Sequence, residues 1–213
     1  MAIGLIFLLL NFDPDLSMVY LLILLGDYIW YQNDSWISFP YSNKQANKTG
    51  VIIESFAALG IFLLATAVLI TGFSTQSLLS MLSSTVPILA ESQVLTLISW
   101  GIIVPFIETN FFFGRLLEGF SYMAEKVTGN KISTKKFSIP IFIVMILVAA
   151  IFTLFHLSAK GLDSSALIVT FIFAIISMIL VVRQQSTKGA TIMHILSNST
   201  AVLISMGWIG GII

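Results

Sequence analysis

Five ionisable side chains of this 213-residue sequence are read as lying at bilayer depth: Asp27, Glu54, Glu108, His156 and His194. A charge held at bilayer depth costs several kcal/mol, so each such group is a functional candidate by default. Asp27 and Glu54 lie near the ends of their runs, where a carboxylate reaches water. Glu108 follows a proline by three residues, in Val104-Pro105-Phe106-Ile107-Glu108-Thr109-Asn110, with apolar residues on both sides. One reading pairs it with Arg115, two helical turns along the same face. The two histidines are the only ones in the chain. Phe152 and His156 share a helix face at i, i+4, and so do His194 and Asn198. A lone membrane histidine ordinarily bonds between helices. Taken with Glu108, the set reads as one polar pocket. Each group lowers the burial cost of the others, and the pocket can hold water or pass a proton.

The elements that carry these groups follow from composition. Hydrophobic residues make up 57% of the sequence and charged ones 9%, against roughly 25% charged in a soluble domain. A water-soluble fold of this size would lack polar side chains to clothe its surface. Ten basic and ten acidic residues cancel, so overall basicity gives no argument for a nucleic-acid partner. Cysteine is absent, which excludes disulfides, a thiolate nucleophile and Cys-ligated zinc or iron–sulfur sites.

At about 20 apolar residues per membrane helix, the chain reads as an all-α, polytopic membrane bundle of about six or seven transmembrane helices. Residues 1–213 form a single integral membrane domain in this reading. The apolar runs are 2–12, 16–31, 51–72, 94–123 (interrupted by Pro105), 137–157, 166–182 and 190–213. Residues 2–10 lack a basic lead and a small-residue cleavage site, so they read as a short membrane segment rather than a removable signal. Residues 73–86 suit an interfacial helix ended by Pro87. No run alternates with period two, which argues against barrel strands.

Alternating spans place Lys44, Lys48, Arg115, Lys126, Lys131, Lys135, Lys136, Arg183 and Lys188 on one side and only Lys160 on the other. That bias makes the basic loops cytoplasmic and the C-terminus external. Residues 126–136 then meet anionic headgroups. The sequons at Asn33 and Asn47 matter only if their loop faces outward.

An acidic motif after a proline, then Phe-x-x-x-His, then His-x-x-x-Asn, on successive membrane helices, resembles the CAAX-protease and bacteriocin-processing family of intramembrane glutamate proteases. The resemblance covers residues 105–213, which carry the protease-like core motifs. The family's first motif is Glu-Glu-x-x-x-Arg. Here Glu108 matches it, Thr109 stands in place of the second glutamate, and Phe113 occupies the arginine position. Phe152 and His156 match the second motif, His194 and Asn198 the third.

The resemblance implies an endopeptidase in which Glu108, supported by His156, activates a water for attack on a peptide carbonyl. His194 and Asn198 then donate to the oxyanion. Phe152 and Phe112 are the candidate substrate contacts, with helix packing the plainer use of Phe111-Phe112-Phe113. Two histidines and a glutamate could form an open zinc site, but there is no His-Glu-x-x-His pairing, and no metal or cofactor is expected. The implied partners are membrane lipids and a membrane-associated peptide or protein substrate, with no nucleic acid. Two alternatives remain open. One is a catalytically inactive homologue serving as an accessory or structural subunit of a membrane complex. The other is an ion- or proton-coupled transporter that uses the same groups as a relay.

Overall fold

The computed structural model describes residues 48–68, 93–132, 136–157 and 164–208. The expected segments 2–12, 16–31 and 73–86, together with Asp27, lie outside the described residues. Among those described, every regular element is helical. This is the outcome hydrocarbon demands, because only a helix or a closed barrel satisfies its own backbone there.

Helix α1 is Lys48–Thr66. Helix α2 is a continuous rod of five pieces: Gln93–Thr96, a π-helical stretch Leu97–Ile103, the α-helical turn Val104–Glu108, a second π stretch Thr109–Leu116, and Leu117–Thr128. Helices α3 (Ile139–Phe155), α4 (Ser164–Gln184) and α5 (Lys188–Ser205) complete the bundle. Three segments are long and apolar enough to cross a membrane: Thr49–Thr66, Leu97–Thr128 and Ser164–Gln184. Ile139–Phe155 is apolar but shorter. Leu97–Thr128 has 32 residues, or about 40 Å of helix, since π turns rise less per residue than α turns. That exceeds a hydrocarbon core of about 30 Å, so one end of α2 must project beyond it.

The helix ends follow local rules. Gly129 adopts φ 67° and its N–H bonds the Glu125 carbonyl at 2.9 Å, the left-handed stop that ends α2. Ser138 caps α3, with Pro140 in its first turn. A short turn with Gln185 at φ 52° reverses the chain between α4 and α5.

The core is centred where α2, α3 and α4 meet and includes Phe112, Phe113, Leu117, Met145, Val148, Phe152, Phe173 and Met178, with Phe62 of α1 and Met193 of α5, all buried. Helix α1 packs antiparallel to α4. The Phe62 and Phe173 rings meet edge to face at 5.2 Å, and Glu54 accepts from Arg183 Nε at 2.9 Å and Gln184 Nε2 at 3.0 Å. The outside is also apolar: Ile53, Ile61, Leu64, Ile139, Ile143, Leu147, Leu154 and Ile168 are exposed. A surface of this kind belongs against lipid rather than water.

Candidate intramembrane active site

Pro105 explains why α2 is irregular. Proline has no N–H to donate, so the carbonyl that residue 105 would serve is orphaned. In the π register the Val104 N–H reaches back to Ser99, so Pro105 would have served Trp100. In an α register it would have served Gly101. Helix α5 meets both carbonyls. Asn198 Nδ2 donates to Trp100 at 3.3 Å and Ser199 Oγ donates to Gly101 at 3.1 Å. Gly101 is what lets the helices approach this closely, because a Cβ there would come within 2.9 Å of Ser199 Oγ and 3.3 Å of Ser199 Cα.

This contact brings α5 alongside the one α-helical turn between the π stretches, the turn that ends at Glu108. The Glu108 carboxylate is buried, and its two oxygens face two imidazoles from different helices. Oε1 lies 3.9 Å from His156 Nε2 and Oε2 lies 3.7 Å from His194 Nε2. Both gaps exceed a direct hydrogen bond and are within the reach of one shared water. His156 caps the C-terminal end of α3, and its Nδ1–H donates to the Phe152 carbonyl at 2.8 Å. His194 sits within α5, with Nδ1 3.0 Å from Thr109 Oγ1.

Aromatic rings wall the group. Phe152 lies tilted against His156 at 4.3 Å and meets His194 edge-on at 6.2 Å. Phe173 approaches His194 at 4.7 Å. Phe112 and Phe113 pack against Phe152 from behind at 5.1 and 5.0 Å. Such walls keep the local dielectric low and strengthen polar interactions inside them. Exposure is uneven: the His194 side chain is 4% exposed and that of His156 18%, so the site opens on the His156 side.

Of the residues singled out from sequence, Glu108, His156 and His194 therefore meet, drawn from three helices. Asn198 lies one turn beyond His194 on α5, and its amide donates to the Trp100 carbonyl. Phe152 and Phe112 are almost fully buried, at 1% exposure each, and form the wall behind the imidazoles. Thr109, read from sequence only as a departure from a motif, is fully buried against His194. The next residue, Asn110, accepts from Thr187 Oγ1 at 2.7 Å, which ties α2 to the turn before α5. The signal for both was adjacency to Glu108. Among the described residues, no group of three or more His, Cys, Asp or Glu side chains is placed to hold a metal ion.

The described elements are all helical and their exterior is apolar, as in an integral membrane protein, and they hold a buried glutamate between two histidines. Residues 90–200, 111 of the 213, match the family model described as type II CAAX prenyl endopeptidase Rce1-like, and the chain belongs to that family. No curated protein and no solved structure matches the chain.

Proposed function

We propose that this chain is an intramembrane endopeptidase acting on a membrane-associated peptide or protein, with residues 105–213 as its catalytic core. The observation that carries the proposal is the approach of both Nε2 atoms to the two oxygens of Glu108. A water held between Glu108 and His156 gives a proton to the carboxylate as its oxygen attacks the scissile carbonyl carbon. The negative charge then forming on the carbonyl oxygen takes a hydrogen bond from His194. Glu108 returns the proton to the leaving nitrogen as the C–N bond breaks.

Asn198 has one amide N–H on the Trp100 carbonyl and offers its second N–H to the same oxyanion. Phe152, backed by Phe112, forms the apolar wall behind the two imidazoles. Family membership supports a prenylated C-terminal peptide as the first substrate to try. The basic loops face the cytoplasm in this reading, following the Lys/Arg bias.

The test is cleavage of a prenylated reporter peptide by the purified full chain in proteoliposomes. Cleavage that disappears in Glu108→Gln while the helix content is retained supports the proposal. A folded wild type that cleaves nothing overturns it and favours an accessory homologue, while ion uptake without cleavage favours a transporter.

A further inference from the structure

The two imidazoles face one carboxylate through the same ring atom, but their other nitrogens have different partners. His156 Nδ1 lies 2.8 Å from the Phe152 carbonyl. A carbonyl can only accept, so the proton is on Nδ1, and Nε2 presents a lone pair towards Glu108.

His194 Nδ1 lies 3.0 Å from a hydroxyl, which can either donate or accept. The neighbourhood decides which. Ser55, Ser121, Thr153, Thr170 and Thr191 all send their hydroxyl proton back to the carbonyl four residues earlier. Thr109 does not. Among the described residues its hydroxyl has one hydrogen-bond partner, the His194 ring. Thr109 is also fully buried, so a proton turned away from that ring would be left without an acceptor in an apolar wall. The hydroxyl therefore donates to Nδ1, which leaves the His194 proton on Nε2, aimed at Glu108.

We infer that Thr109 is a positioning residue that holds His194 as the Nε2–H tautomer, opposite to the Nδ1–H tautomer that the Phe152 carbonyl imposes on His156. Glu108 thus faces one acceptor and one donor. A water on the His156 side meets two acceptors, the carboxylate and a bare imidazole nitrogen, so both its protons are engaged and an oxygen lone pair is left to attack. The donor on the other side is neutral and already oriented when negative charge develops. A carboxylate in place of Thr109 could only accept, and would pull the His194 proton onto Nδ1. The catalytic consequence rests on the peptidase reading, whereas the tautomers rest on the geometry alone.

The experiment is nitrogen NMR of the full chain in lipid nanodiscs with isotope-labelled histidine, at alkaline pH where neutral imidazoles dominate. With only two histidines in the sequence, each signal is assigned by substituting the other. The expected spectrum shows one histidine in each tautomer. Thr109→Val should shift the His194 signals towards a mixture and leave those of His156 in place, and Thr109→Ser should restore them. On the reporter peptide, Thr109→Val should lower kcat about tenfold with KM unchanged, as when a group orienting a histidine is lost. Two histidines in the same tautomer in the wild type overturn the inference, as does a folded Thr109→Val protein with an unchanged spectrum. Absence of cleavage overturns the peptidase reading instead and leaves the spectrum to decide this one.

Discussion

The Asn198 side chain donates to the Trp100 carbonyl, 98 residues away in sequence, at 3.3 Å. In the π register, that is the carbonyl that Pro105 is unable to serve. A backbone vacancy on one helix is thus filled by a side chain from another, and the same contact sets His194 beside Glu108.

This relationship predicts a coupling. Asn198→Ala should cost about 1 kcal/mol, the lower end of the penalty for leaving a part-buried carbonyl unbonded. Pro105→Ala restores a backbone N–H, so in that background the same substitution should cost measurably less. A double-mutant cycle on thermal unfolding in detergent checks it. Strict additivity would mean that Asn198 does not compensate for the proline.

Glu108→Gln keeps the shape and removes the base. Cleavage of the reporter should fall by about 10²- to 10⁴-fold, with helix content by circular dichroism and elution volume unchanged. Loss of the fold would instead assign Glu108 a structural duty.

Gly101→Ala should destabilise the bundle by about 1–3 kcal/mol through overpacking, because the new methyl meets Ser199 Oγ at 2.9 Å. Adding Ser199→Gly should relieve part of that loss, with Ser199 Cα still close at 3.3 Å. Melting temperatures of the three proteins in one detergent test this.

Phe152→Ala removes the ring that both imidazoles and three phenyl groups touch. The expected cost is about 3–5 kcal/mol, so activity and fold should fail together, in contrast to Glu108→Gln. A stable Phe152→Ala protein with a raised KM would show that the ring contacts substrate.

The sequence revealed what polarity reveals. Glu108, His156 and His194 stood out because titratable groups in apolar runs are rare, and all three meet in the fold. Helical structure in α1, α3 and α4 followed from uninterrupted apolar runs. Backbone register was hidden. Placing Arg115 by a 3.6-residue period assumes an α-helix, yet the segment from Thr109 to Leu116 is π-helical, which changes the phase of every residue beyond Glu108. The bond made by Asn198 was hidden as well, because its partner is a main-chain oxygen that carries no residue identity. Thr109 looked like the loss of an acid, and its role as a donor needed the position of a ring on another helix.

Glu108 lies eleven residues beyond Leu97, where the long apolar part of α2 starts, or about 15 Å along the rod. Reaching the acid from that end takes about four or five residues of fully extended chain.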